Sequence, residues 1–139
     1  MRKSIIILLT VAALALPIVD ATAATKAKAK KIVVTQHFTG AVASVSRWGS
    51  LQVTIVVRKT TTITGTKKKV TRRMTAVSVP IYPNHTDRSV FINQNALPIL
   101  KAEALKAQSA GINMVSGATD TSDGFEQSLQ SAIVKAVKA

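Results

Sequence analysis

The chain has 139 residues, 47% of them hydrophobic, a formal net charge of +13 and no cysteine. A chain of this length makes one domain. The lack of cysteine excludes disulfide staples, thiolate metal sites, iron–sulfur clusters and cysteine nucleophiles. The basic excess favours anionic partners: nucleic acid, anionic cell-envelope polymers, lipid headgroups or a phosphorylated cofactor. Charge alone does not choose among them. His37 and His85 are far apart in sequence and neither sits beside an acidic cluster, so they do not predict a metal site.

In chain order, "MRKSIIILLTVAALALPIVDATA" comes first. Arg2 and Lys3 precede an apolar run from Ile5 to Val19, and Ala21-Thr22-Ala23 forms a small-x-small site. This is the layout of a secretory signal peptide over residues 1–23, with cleavage after Ala23. The apolar run is about 15 residues, short of the roughly 20 that span a bilayer. The expected localisation is exported: extracellular, cell-envelope or periplasmic. Residues 24–37 are read as a basic flexible tail, opening on the alanine–lysine alternation of "ATKAKAKK". The folded domain then occupies residues 38–139.

Leu51, Val53, Ile55 and Val57 alternate with Gln52 and Thr54, the period of a half-buried strand. An earlier strand is expected to end near Arg47, with Trp48-Gly49 making a tight reversal. The β-branched run on either side of Thr64-Gly65-Thr66 predicts a long second hairpin with its tip at Gly65. Its return strand carries Lys67, Lys68, Lys69, Arg72 and Arg73. That row has two readings, a solubilising charge row that protects a sheet edge and a docking patch.

Pro80 and Pro83 break the sheet in "PIYPNHTDRS". A helix is expected from about Arg88 to Asn95. Pro98 suits the first turn of a second helix, from about Leu97 to Ser109, with Leu97, Leu100, Ala104 and Leu105 facing inward and Gly111 ending it. Phe125, Leu129, Ala132, Ile133 and Ala136 mark one face of a terminal helix starting near Thr121 or Ser122. Asp120, Thr121, Ser122 and Asp123 are each competent to cap it. Strands first and helices after give an α+β class, a small antiparallel sheet of N-terminal hairpins packed against C-terminal helices.

Just before the terminal helix, "SGATDTS" gathers Ser116, Thr119, Thr121 and Ser122 around Gly117 and Ala118. A helix N-terminus exposes free N–H groups and the positive end of the macrodipole. With a glycine for close backbone approach and hydroxyls as donors, such a place suits a phosphate. Ordinary N-capping by a hydroxyl-rich loop is the other reading.

"SRWGSLQVTIVV", "DRSVFINQNALPIL" and "EALKAQSAGINMVSGATDTSDGFEQSLQSAI" resemble the FMN-binding domain family in its small exported stand-alone form. The resemblance covers about residues 38–137. The family also supplies extracytoplasmic subunits of the sodium-pumping NADH:quinone oxidoreductase and of the Rnf electron-transport complex. Its most specific motif, Ser/Thr-Gly-Ala-Thr with Thr/Ser two places after the threonine, is similar to "SGATDT" at every constrained place. Asn113 stands three before the motif serine, where the family pattern usually carries an acidic residue. The resemblance implies FMN joined through its phosphate to Thr119 by a flavin transferase that uses FAD. Ser116, Gly117, Ala118, Thr121 and Ser122 would surround the phosphate. Tyr82, Ser89 and Asn93, in the segment resembling the family's ring-binding part, would meet the isoalloxazine. Ser89 and Asn93 are four apart and share a helix face. Trp48 and Met114 would pack on the ring, or in the core.

The expected function is therefore an exported flavoprotein that carries electrons to or from a membrane-bound or envelope redox protein, with no nucleic acid partner. The sequence offers no catalytic triad, acid–base pair or metal cluster for substrate-level chemistry. Two rivals belong to other classes. One is a basic adhesion or envelope-polymer-binding domain without flavin. The other is a flavin-dependent reductase with its own small-molecule acceptor.

Overall fold

The computed structural model describes residues 28–139. The signal-peptide and cleavage-site expectations fall on residues outside these. Four strands precede two helices: β1 (Lys30–Thr39), β2 (Ala43–Ser44), β3 (Ser50–Thr64), β4 (Lys67–Ile81), α1 (Asp87–Ala107) and α2 (Thr119–Lys138). All pairings are antiparallel. β3 is central, with β1 and β4 along it and β2 on its first two residues. The class is α+β, with the sheet packed against both helices.

The alternation in β3 decides which face is buried. Leu51, Val53, Ile55 and Val57 point toward the helices and are buried. They meet Leu97, Leu100 and Ala104 of α1 and Phe125, Leu129, Ala132 and Ala136 of α2. From Arg58 onward β3 is no longer buried, and β4 is exposed from Lys67 to Arg73. A three-stranded arm of β1, β3 and β4 thus continues beyond the helical layer. At its tip Gly65 has φ 62. Glycine at the first of two turn residues, followed by Thr66 at negative φ, is the pattern of a type II′ hairpin, whose twist suits the flanking strands.

Several expected boundaries change. The stretch read as a tail is strand from Lys30, in register with β3 from Lys30 opposite Ile63 to Thr39 opposite Thr54. Its aliphatics do not alternate with polar residues and are exposed, so pairing rather than burial orders it. The second strand ends at Ser44, and Ser46–Trp48 forms one 3₁₀ turn closed by Gly49 at φ 129. Pro80 lies inside β4, beside a register shift between Gln52 and Thr54. There a missing N–H is tolerated.

The two expected helices are one. α1 runs through Pro98, which is exposed. Gln94, whose carbonyl Pro98 cannot serve, is exposed as well, and access to water on that side limits the usual cost of about 3 kcal/mol. Opposite it, Ser89, Asn93, Ala96, Leu97, Leu100 and Ala104 form one buried stripe across the proline, and that stripe holds the helix together. The helix ends at Gln108, not Gly111. Gln108 takes φ 55, and its side-chain amide donates to the Met74 carbonyl at 2.9 Å and accepts from the Met74 N–H at 2.7 Å. The C-cap therefore doubles as a tie to β4.

α2 begins at Thr119, two or three residues earlier than expected. Its N-cap is Ala118, which makes no side-chain cap bond. Ser128 on α2 completes the sheet. β1 ends opposite Thr54, so Val53 lacks a β1 partner. Gly40 donates to the Val53 carbonyl at 2.8 Å, and Ser128 Oγ accepts the Val53 N–H at 2.8 Å. At the other end of α2, Lys59 Nζ donates to the carbonyl of Ala139 at 3.1 Å, at the root of the arm. No helix among the described residues is long and apolar enough to cross a membrane.

Candidate functional site

A cleft of about 360 Å3 opens where three elements converge: the 3₁₀ turn, the start of α1 and the start of α2. Each is held locally. In the 3₁₀ turn, Val45 N–H donates to Gly49 and Trp48 N–H to Val45, at 2.8 and 2.9 Å. Arg47 lies over the Trp48 indole, 5.0 Å from its centroid. This is a cation–π pair that holds a guanidinium and an aromatic ring at the cleft together.

At α1, Thr86 and Ser89 form a capping box. Ser89 N–H donates to Thr86 Oγ1 at 3.1 Å, and Thr86 N–H donates to Ser89 Oγ, also at 3.1 Å. Ser89 is on the cleft wall, but its hydroxyl is spent on the cap. One turn on, Asn93 is buried. Its Nδ2 donates to the Pro83 carbonyl at 2.7 Å, and its Oδ1 accepts from the Thr121 hydroxyl at 3.0 Å. Asn93 thereby fixes the 82–86 loop, α1 and α2 to one another.

At α2, Gly117 has φ 82, and no atom lies within 4 Å of where a Cβ would stand. The glycine answers a left-handed backbone rather than crowding. Ser122 closes the turn from within: its Oγ donates to the Ala118 carbonyl at 2.8 Å and accepts the Val115 N–H at 3.0 Å. Ser122 N–H is the first to bond back within the helix, to Ala118 at 2.9 Å. The N–H groups of Thr119, Asp120 and Thr121 are thus the free ones of the first turn.

The four hydroxyls of the motif are now separated by role. Thr121 and Ser122 are buried and bonded. Ser116 and Thr119 are exposed, and of these two Thr119 lines the cleft. Six of the nine residues expected at the site line it: Thr119, Gly117, Ala118, Thr121, Ser89 and Asn93. Ser116, Ser122 and Tyr82 do not. Tyr82 is exposed one residue before Pro83, and Met114 is exposed away from the wall.

Sequence reasoning missed Arg47 and Arg88, both on the wall. Arg47 is placed by a 3₁₀ turn far from the motif in sequence, and Arg88 looked like any residue of a helix start. Together with three free N–H groups they make the cleft attractive to an anion, while Asp120 on the same wall opposes this. Trp48, half-buried, supplies a flat apolar surface. Among the described residues no group of three His, Asp or Glu stands ready to hold a metal ion. No protein-family model matches the chain, and no curated protein matches it.

Proposed function

We propose that the protein is an exported flavoprotein that carries FMN through a phosphoester to Thr119 and acts as an extracytoplasmic electron carrier. One observation carries this reading. Of the hydroxyls in "SGATDTS", Thr119 is the one both exposed and on a cleft wall, at the first position of a helix with free N–H groups. The donor set suits the group. A phosphodiester at Thr119 Oγ1 meets the N-terminal N–H groups of α2, Arg47 and Arg88 supply positive charge, and Trp48 offers a face for a ring. A volume of about 360 Å3 falls in the range of roughly 300–1,000 Å3 common for small-molecule sites.

The attachment balances with FAD as donor. The bond from Thr119 Oγ1 to the FMN phosphorus forms as the pyrophosphate linkage breaks and AMP leaves. The hydroxyl proton passes to a base of the flavin transferase. Once bound, FMN supplies one- and two-electron redox chemistry, and the protein's part is position and environment. Ser122 holds the turn that presents Thr119. Asn93 and Thr121 fix the floor, and Trp48 with Arg47 shields one side from water. A membrane-bound or envelope redox protein is the proposed exchange partner.

The test is the intact mass and visible spectrum of protein co-expressed and exported with an FAD-dependent flavin transferase, before and after denaturation. A mass increase of one FMN with yellow colour that survives denaturation supports the reading. A colourless chain of unmodified mass overturns it.

A further inference from the structure

The positive charge of the chain is segregated. Residues 30–81 hold ten Lys or Arg and no Asp or Glu, whereas residues 82–139 hold five of each. Nine of those ten cations stand on the arm that leaves the helical layer. An edge-protecting row needs cations on edge strands, but Arg58 and Lys59 are on β3, which is paired on both sides. There Arg58 faces Arg73 and Lys59 faces Arg72 across the ladder. Directly opposed like charges weaken a sheet, and an anionic partner relieves that repulsion.

The cations are interleaved with aliphatics. The row that is buried lower on β3 continues outward as Lys59, Thr61 and Ile63. Val34 is in register with Lys59, and Ile32 and Val70 with Thr61. Ile32, Val34 and Val70 are 41%, 44% and 36% exposed. At the root of the arm a cavity of about 170 Å3 is lined by Val57, Met74, Ile133 and Val137 together with Arg72 and Arg73.

The mixture selects the occupant. The turn from Arg58 to Arg73 has no aromatic side chain on which a base would stack, as single-stranded nucleic acid requires. A soluble polyanion makes no use of exposed aliphatics, and a second copy of the chain brings the same charge. Cations alternating with aliphatics fit the boundary between anionic headgroups and acyl chains. We propose that the arm docks on an anionic lipid surface, with Lys30, Lys68 and Arg72, which share the face of Thr61 in the register, among the headgroups and Ile32, Val34 and Val70 at the acyl boundary. This proposal does not rest on the flavin reading.

The test is co-sedimentation of the full chain with vesicles of phosphatidylcholine alone and of phosphatidylcholine mixed with phosphatidylglycerol. Residues 5–19 form an apolar run that would bind either vesicle, so the readout is the ratio between the two. That ratio should strongly favour the mixed vesicles. The triple variant Lys30→Gln, Lys68→Gln, Arg72→Gln should reduce it on the order of a hundredfold, from roughly fivefold per cation. The double variant Ile32→Ser, Val70→Ser should weaken binding to mixed vesicles and leave retention by soluble polyphosphate unchanged. Both variants lie outside the core, and an unchanged thermal transition shows that they fold. Equal binding to both vesicle types overturns the proposal. So does a double variant that binds mixed vesicles as the parent does, since the surface is then a polyanion site.

Discussion

Thr121 of α2 donates its hydroxyl to Oδ1 of Asn93 of α1 at 3.0 Å, and both side chains are buried. With the second bond from Asn93 to the Pro83 carbonyl, this one amide sets how the two helix starts and the loop between sheet and helix meet. Asn93→Ala leaves a buried hydroxyl and a carbonyl without partners. The expected loss is about 1–3 kcal/mol for each group so stranded, read as a lower urea midpoint. Thr121→Ala strands only the Asn93 oxygen and should cost less. Equal stability of Asn93→Ala and the parent would mean that water replaces the amide.

Thr119→Ala should fold as the parent does, because the side chain is exposed, and should lose the flavin that survives denaturation. Ser116→Ala should keep it. Peptide mapping by mass spectrometry after digestion decides the site. Denaturation-resistant flavin on Thr119→Ala would place the attachment elsewhere.

Asn113 is exposed five residues before Ala118 on the approach to the motif. The resemblance puts an acidic residue there, which bears on recognition by the transferase rather than on folding. Asn113→Asp should raise the fraction of chains that carry covalent flavin under limiting transferase, with no change in thermal transition. Intact mass distributions measure both species at once.

The glycines should rank by what a methyl group would strike. At Gly40 a Cβ would stand 1.9 Å from the Ser128 carbonyl oxygen, and backbone cannot swing aside. At Gly124 it would stand 2.9 Å from a Val45 methyl, which can adjust. At Gly65 it meets nothing, and the left-handed φ of 62 adds strain of roughly 1–2 kcal/mol. Gly40→Ala should therefore cause the largest loss in chemical denaturation. Gly124→Ala should cost about 1–3 kcal/mol of overpacking, partly offset by better helix propensity.

What could be read from the sequence was what local periodicity controls. The Leu51–Val57 alternation, the Gly65 tip and the Phe125–Ala136 face all depend on neighbours a few residues away. Pro98 was misleading because its local effect is to break a helix, while the stripe from Ser89 to Ala104 that overrides it is set by burial against the sheet and α2. Residues 30–37 looked like a tail because exposed strand has no alternation to show. In the cleft, Thr119, Ser89 and Asn93 were legible through motif and spacing. Arg47 and Arg88 were not, because only the folded chain brings the 3₁₀ turn to the start of α2. The start of α2 was placed late because capping types crowd residues 120–123, whereas the observed N-cap is an alanine held by Ser122 from below.

α2 also acts as a ruler. Its first residue, Thr119, lines the cleft, and the residue after its last turn, Ala139, accepts from Lys59 where the arm departs. Twenty residues of helix rise about 30 Å. The cleft wall and the root of the arm are thus held about 30 Å apart at the two ends of one helix, so a substitution at Thr119 does not touch the arm.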